Sequence, residues 1–366
     1  MKITRVETIL LRIPLRRSHK MSFGSADAVD FVIPRVYTDE DIVGVGESAT
    51  VGPLWAGECS QTIHPIIESF LGPAIIGQDP MNIEAVLNRM DEAVKENWFA
   101  KAAVEFALFD IAGKKLKVPA YQLLGGLCQE RIQLSWSLAS LDVDVERKEA
   151  KGKLDEGFRI FKLKVGALSP DKDVERVKAI RDEFGYDIGL RVDANQGWNV
   201  NMAIKVIRKM ERYELDFVEQ PVRRSELANM AKIAKAVDVP IMADESLDTM
   251  QDAIDLVREE AADVFGLKPA KSGGMLKCKK IAGIAEAAGI PCYVGCMIET
   301  GIGTAAYAHV GCSSNAVTYG CELWGPLLLE DDISKEPVKF SDGYIYVPKG
   351  SGLGVEIDEA KLKKYM

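Results

Sequence analysis

Histidine is scarce in this chain, with three residues in 366, His19, His64 and His309, far apart and in no HxxxH arrangement. Neither a helical zinc pair nor histidine chemistry is expected, and each ring is expected to serve as a local hydrogen-bonding group. Paired cysteines are lacking too: Cys59, Cys128, Cys278, Cys292, Cys296, Cys312 and Cys321 are odd in number, dispersed and without a CxxC pair. That pattern excludes a disulfide framework and a thiolate zinc site, and fits reduced thiols in a cytosol. No apolar run reaches membrane-spanning length, and the opening MKITRVETILLRIPLRR alternates like a strand, without the apolar core and cleavage site of a secretory signal. A cytoplasmic protein with no membrane partner is expected. Basic residues are in deficit, with 46 Lys and Arg against 55 Asp and Glu for a net charge of −9, which disfavours nucleic acid and leaves a small molecule as the expected partner. Gly44 and Gly46 are not followed by a helix-opening GxGxxG, so they read as glycines in a strand and not as a dinucleotide loop.

What is present is enough apolar material, 47% of residues, for about two domains with a large core. Residues 1 to about 56 read as antiparallel strands, ITRVETILLRIPL, DFVIPRVYT and IVGVGESA, with two small-residue loops at Met21–Ala26 and Thr50–Trp55. From Gly57 to Leu116 the apolar spacing becomes helical. RIQLSWSLAS then reads as the first strand of a new domain, with Ser135 and Ser137 on one face and Trp136 on the other.

The stretch RIFKLKVG places Lys162 and Lys164 on one face of a strand. If that face lines a closed barrel, burial and like charge push a lysine pKa down toward the range of a general base. Four further apolar runs end in Asp193, Glu219, Asp244 and Lys268, each 29, 26, 25 and 24 residues after the one before, counted from Lys164. A strand, a helix and two loops take roughly that length, so these are successive βα units of a parallel barrel, which brings its strand ends to one mouth. Three carboxylates there suit Mg²⁺ or Mn²⁺, with lysines on the flanking strands. IPCYVGCMIE reads as strand seven, ending at Glu299, and AVTYGCELW as the last, delivering Glu322 and Trp324 to the rim; EPVKFSDGYIYVPKG follows as a hairpin with an Asp-Gly turn.

With FKLKVG, RVDANQGW, VEQP, MADES and FGLKPAKSGG in that order, the chain resembles the enolase superfamily over nearly its full length, in its muconate-lactonising branch. NWFAKAAVEFALFD, SWSLAS, CMIETGIGT and CELWGPLLL are most similar to the muconate cycloisomerases of that branch. The resemblance implies an α/β fold, a (β/α)7β TIM-like barrel over 128–330 with an N-terminal α+β capping domain over 1–127, completed by a C-terminal segment, 331–366. It implies proton transfer by Lys164 and Lys268 with Lys162 tuning Lys164, and one Mg²⁺ or Mn²⁺ per site held by Asp193, Glu219 and Asp244. A small carboxylate substrate and a homo-oligomer also follow from it. The two capping loops choose the substrate in that family, so Phe23, Leu54 and Trp55 are expected to contact it, together with Ser137, Asn195, Glu299, Glu322 and Trp324. Dipeptide epimerases of the family carry Asp-x-Asp after the last strand, where this chain has CELW with Glu322.

The chemistry explains the parts. A proton α to a carboxylate is too weakly acidic for an amine unless a cation stabilises the enolate as it forms. Lactonisation needs one lysine as acid, whereas racemisation needs one on each face, so racemases, epimerases or dehydratases of amino-acid derivatives share the expectation. A metal-free Schiff-base aldolase and a non-catalytic acid-binding barrel are the remaining readings. In the metal-free protein the three carboxylates are expected to repel, so that neutralising one relieves strain.

Overall fold

The computed structural model describes residues 1–366 apart from the side chain of Ala56. Alternation in the first residues has a direct cause: β1 (Ile3–Met21) and β2 (Gly24–Thr38) form a long antiparallel hairpin with Leu11, Ile13, Val29, Phe31 and Ile33 buried. β3 (Val43–Val45) and β4 (Ser48–Thr50) add to β2. Helices α1 (Pro53–Ala56), α2 (Ser60–Ile66), α3 (Gly72–Ile75) and α4 (Ile83–Ala93) lead to α5 (Trp98–Leu116), whose residues from Phe99 to Gly113 are all buried. A Cβ on Gly44 or Gly46 would overlap the Ala107 or Ala103 carbonyl of α5. The two glycines are therefore there for helix-on-strand contact.

In place of the loop expected at Met21–Ala26, β1 runs to Met21 and the chain turns over Ser22 and Phe23 alone. Pairing between β1 and β2 breaks between Pro14 and His19, where Leu15 bridges Leu329 of the second domain instead. Such an irregularity bends a strand and re-aims its side chains. The tip is then pinned to the barrel, with Lys20 N–H donating to the Ala139 carbonyl at 3.0 Å and the Ser22 hydroxyl to the Asn195 carbonyl at 2.6 Å.

After α6 (Ala120–Leu123), the stretch expected to be one barrel strand splits at Leu134 into β5 (Arg131–Gln133) and β6 (Ser135–Leu138). Only β6 enters the barrel. The order is β6, α7 (Val143–Asp155), β7 (Ile160–Lys164), α8 (Pro170–Phe184), β8 (Gly189–Asp193), α9 (Val200–Met210), β9 (Val218–Glu219), α10 (Leu227–Ala234) and β10 (Ile241–Ala243). It continues with α11 (Met250–Glu259), β11 (Val264–Leu267), α12 (Met275–Ala288), β12 (Cys292–Val294), α13 (Gly301–Cys312) and β13 (Val317–Cys321). Strands β6 to β13 form one eight-stranded parallel sheet in chain order, closed by a parallel bridge between Leu134 and Cys321. This is a (β/α)7β barrel. Beyond α14 (Gly325–Leu328), β14 (Phe340–Ser341) and β15 (Tyr344–Tyr346) form the expected hairpin, with Asp342 and Gly343 at φ 54° and 72° as a two-residue turn requires. β15 pairs with β5, and α15 (Glu359–Lys364) returns to the first domain through an Arg35–Glu359 ion pair at 2.6 Å.

One continuous apolar cluster runs through the first domain and the outer layer of the barrel. Inside the barrel a separate cluster of Phe217, Met242, Val264 and Tyr293, with Tyr319 against it, fills the lower end. Among the described residues no helix is long and apolar enough to cross a membrane.

His64 and His309 have local partners, as expected: His64 Nδ1 meets the Thr8 hydroxyl at 2.5 Å, and His309 Nε2 meets the Leu353 carbonyl at 3.1 Å. Burial pushes the His309 pKa down to about 4. An unfolded imidazole titrates near 6.5, so between pH 6.5 and 4 the unfolded chain binds a proton that the folded one refuses. Stability due to the neutral ring is complete above pH 6.5 and is lost as the pH falls. His309→Gln, which keeps a donor for Leu353, should recover roughly 3 kcal/mol of the loss between pH 7 and 4. Urea unfolding of both proteins across that range measures it, and parallel profiles would show that His309 does not stay neutral.

Candidate active site

The site sits where the barrel strands end beneath the β1–β2 tip. Lys162 and Lys164 share the inner face of β7, as period two requires, and in parallel register Lys164 stands beside Asp193 and Asp193 beside Glu219. The end of β7 is fixed from behind by buried Arg176, which donates to the Lys164 carbonyl at 2.8 Å while bound to Glu146 and Asp173. Gln220 does the same for the next strands, its Oε1 accepting the Asp244 and Ser246 N–H groups at 3.0 and 3.1 Å.

All six expected catalytic and ligand side chains are buried and come together. Lys164 Nζ lies 2.5 Å from Asp193 Oδ2, and Lys268 Nζ lies 2.7 Å from Asp244 Oδ2. Lys162 contacts Glu219 and reaches Glu322 Oε2 at 2.6 Å. Lys271, which the sequence reading assigned no role, holds the other oxygen of Asp244 at 2.7 Å. The expectation that burial depresses the lysines fails here. Burial is the largest influence on Lys164 and lowers it, and Lys162 adds to that, but Asp193, Glu219 and Glu322 together raise it. Lys268 is likewise lowered by burial yet raised overall by Asp244 and Glu219, and Lys162 is raised by Glu219 and Glu322. Asp244 is held below the usual carboxylate range, because Lys268 and Lys271 outweigh its burial. Glu219 goes the other way, pushed up by burial and then by Asp193, with Asp244 and Glu322 adding to it against Lys162.

Chemically, three buried carboxylates on consecutive strands form a donor set suited to a hard divalent cation, and the excess of negative charge felt by Glu219 is what such an ion would relieve. As the side chains lie, no three carboxylates among the described residues converge on one point, since the ammonium groups hold their oxygens.

Above this floor is a cavity lined by Lys164, Glu219, Lys268, Asn195 and Glu322, with Met21, Val51, Trp55, Met297, Ile298 and Trp324 as its apolar wall, and with His19 and Cys296. Of the residues expected to contact substrate, Trp55, Asn195, Glu322 and Trp324 line it. Trp55 places its ring 4.4 Å from Lys268 Nζ, and Asn195 adopts φ 40°, tolerable for asparagine. Four do not line it. Leu54 is 82% exposed because it precedes Trp55 on the short α1 and points outward. Phe23 is half-buried at the hairpin tip. Ser137 is buried beside Lys162 without a partner for its hydroxyl, and Glu299 is turned back to accept the Met297 N–H at 2.6 Å. Sequence reasoning missed His19, Cys296, Met297 and Ile298, and it had Met21 and Val51 within the two substrate-choosing loops without singling either out. His19 is 4% exposed, tilted on Trp324 at 5.7 Å between ring centroids, and kept neutral by burial and by Lys164. The break in alternation at PLRRSHKM was the available signal.

The ion pairs revise the expected effect of neutralising a carboxylate. Asp244→Asn leaves Lys268 and Lys271 buried without a carboxylate and should destabilise the metal-free protein by about 3–5 kcal/mol. Glu219→Gln should cost distinctly less, because Lys162 keeps Glu322 and three neighbouring anions lose a competitor. Urea unfolding in EDTA ranks the two, and equal losses would contradict the asymmetry.

Residues 4–125 match the mandelate racemase / muconate lactonizing enzyme N-terminal domain family, and residues 146–361 the enolase C-terminal domain-like family. A chloromuconate cycloisomerase of Cupriavidus pinatubonensis is 38% identical over 367 aligned positions, covering 100% of this chain and 99% of that protein. A muconate lactonizing enzyme from Pseudomonas fluorescens, solved with muconolactone, superposes with a TM-score of 0.98 at 40% identity, covering 100% and 99% of the two chains. An N-succinyl Arg/Lys racemase from Bacillus cereus superposes with a TM-score of 0.96 at 36% identity, covering 100% and 98%.

Proposed function

Because the chain belongs to the mandelate racemase / muconate lactonizing enzyme family of the enolase superfamily, we propose that it is a lactonising isomerase of the muconate cycloisomerase kind. The observation that carries this is a cavity at the barrel mouth with an ammonium group from β7, Lys164, another from the β11 end, Lys268, and an otherwise mostly apolar wall. Such a cavity suits a flat, unsaturated dicarboxylate, and the full-length similarity to cycloisomerases supports the choice.

In this reading Asp193, Glu219 and Asp244 turn from the lysines to hold one Mg²⁺ or Mn²⁺. When bound, the cation supplies electrostatic stabilisation of the negative charge that develops on a substrate carboxylate. The chain's own residues do the rest. Met21, Val51, Trp55, Met297 and Ile298 exclude water and keep the diacid folded so that one carboxylate reaches the double bond. Lys164 delivers a proton to the carbon α to the other carboxylate. Once Asp193 and Glu219 are engaged elsewhere, burial and the Lys162 charge, which lower Lys164 toward a useful acid, are opposed by Glu322. Lys268, stacked under Trp55, balances the charge of the substrate. The reaction conserves all atoms, a proton taken up at carbon matching the carboxylate that becomes the lactone. A Schiff-base reaction is disfavoured because every lysine at the site is paired with a carboxylate.

A racemase of an N-acylated amino acid is the second reading, favoured by the presence of both lysines in the cavity and by the similarity to the N-succinyl Arg/Lys racemase. A cytoplasmic homo-oligomer is proposed with either. Assay of cis,cis-muconate and N-succinyl amino acids in D₂O with Mg²⁺ or Mn²⁺ added separates them. For a cycloisomerase, Lys164→Ala should lower kcat by about 10²-fold or more, Lys268→Ala should leave the labelled face of the product unchanged, and EDTA should abolish turnover. For a racemase, each single lysine variant should exchange the α-proton of just one enantiomer, opposite for the two variants. Turnover that survives EDTA would overturn both.

A further inference from the structure

Glu47, in the connection from β3 to β4, is 2% exposed and reaches across to the barrel. One of its oxygens accepts the Thr300 N–H at 2.9 Å, and the other accepts the Thr300 hydroxyl and the Gly303 N–H, the latter at 3.1 Å. A carboxyl group of the first domain thus takes the N–H of the cap residue Thr300 and that of Gly303 in the first turn of α13, while the Gly301 and Ile302 N–H groups go to Asp332 and to the Thr300 hydroxyl. A Cβ on Gly303 would overlap the side chains of Glu47 and Glu299, so the glycine keeps that space open. Directly before α13 runs Cys296–Thr300, and Cys296, Met297 and Ile298 of this segment form one wall of the cavity. Ile298 is held at φ 64°, a conformation that a β-branched residue does not adopt unless its surroundings impose it. Glu47 is bonded to one end of that strained segment.

Glu105 of α5 offers a matched comparison. It is buried, its two oxygens accept the Met275 and Leu276 N–H groups of α12 at 2.8 Å each, and burial raises both Glu47 and Glu105 to about 8. The chemistry and the interface are the same, and neither carboxylate bonds a residue that lines the cavity, but Thr300 lies two positions from Ile298 of its wall, whereas Met275 and Leu276 lie seven and eight from the nearest lining residue, Lys268.

We propose that Glu47 is a positioning residue: it holds the Cys296–Thr300 wall against the cavity through the N-terminus of α13, whereas Glu105 fastens the two domains without acting on the site. The inference goes beyond the reaction assigned above and needs no particular substrate. Cys296 is half-buried in the wall itself and serves as the reporter. Alkylation by N-ethylmaleimide, resolved by peptide mass spectrometry, should be about tenfold faster at Cys296 in Glu47→Gln, as expected when a buried donor such as the Gly303 N–H loses its acceptor. Glu105→Gln should lose a comparable amount of thermal stability and leave the Cys296 rate unchanged. Thr300→Val, which keeps Glu47 and removes one of its donors, should accelerate labelling, Thr300→Ser should not, and this pair carries the test should Glu47→Gln fail to fold. On muconate, Glu47→Gln should raise KM several-fold with a smaller change in kcat. Equal acceleration in Glu47→Gln and Glu105→Gln, or none in Glu47→Gln, overturns the proposal. Because labelling requires no turnover, it stands or falls apart from the assignment of the reaction.

Discussion

Everything at this site depends on balancing charge that has been taken out of water. Lys162, Lys164, Arg191, Asp193, Glu219, Asp244, Lys268, Lys271 and Glu322 are each less than a tenth exposed inside or at the mouth of one barrel. An isolated ion in such a place is unfavourable by several kcal/mol, so each charge must have a partner or be neutralised. Parallel strands of matched length bring the partners together, because register sets Lys164 beside Asp193 and Asp193 beside Glu219 without any help from loops. Beneath the ionic layer, Arg191 lies over the faces of Phe217 and Tyr293 at 4.8 and 5.1 Å, sealing the apolar lower end from the charged upper one. The barrel is therefore two-phased along its axis.

That arrangement makes the first domain a necessity. An ionic floor open to water would be screened, and its lysines would return toward ordinary behaviour. Closure by His19, Met21, Val51 and Trp55 keeps the dielectric low, which strengthens both the pairing of the resting site and any stabilisation of charge during reaction. The lid is attached at points where the barrel has spare donors and acceptors. Glu47 and Glu105 take the N-termini of two barrel helices, and Ser22 takes the Asn195 carbonyl next to the floor.

These two halves were not equally legible in the sequence. Lys164, Asp193, Glu219, Asp244 and Lys268 could be found because a strand alternates with period two and a βα unit has a narrow range of lengths, so spacing alone orders them. The lid carries no such period. Leu54 and Trp55 are neighbours, and which of them faces the cavity is decided by a single turn of helix that spacing does not reveal. His19 and Met21 enter the site because pairing slips after Pro14, and the bridge responsible, from Leu15 to Leu329, joins residues more than three hundred positions apart. The division of RIQLSWSLAS at Leu134 has the same origin, since β5 is claimed by β15 near the other end of the chain. Spacing set Ser137 and Glu299 near strand ends, but it could not reveal that the Ser137 hydroxyl is buried beside Lys162 and that Glu299 turns back to the Met297 N–H, so that neither lines the cavity.

The separation between what spacing reveals and what it hides follows a division of labour. Residues of the floor are constrained jointly: moving one ammonium changes the field on every carboxylate, as Glu219 shows by answering to Asp193, Lys162, Asp244 and Glu322 at once. Residues of the lid touch the floor at few points and pack mainly within the first domain, as Trp55 does on Phe99 at 6.4 Å. A change in the lid can therefore alter the shape offered to a substrate without disturbing the charge balance, whereas a change in the floor disturbs both. On this scaffold selectivity is the property most free to vary and proton transfer α to a carboxylate the least, which is why a cycloisomerase and a racemase can share one backbone at nearly the same superposition.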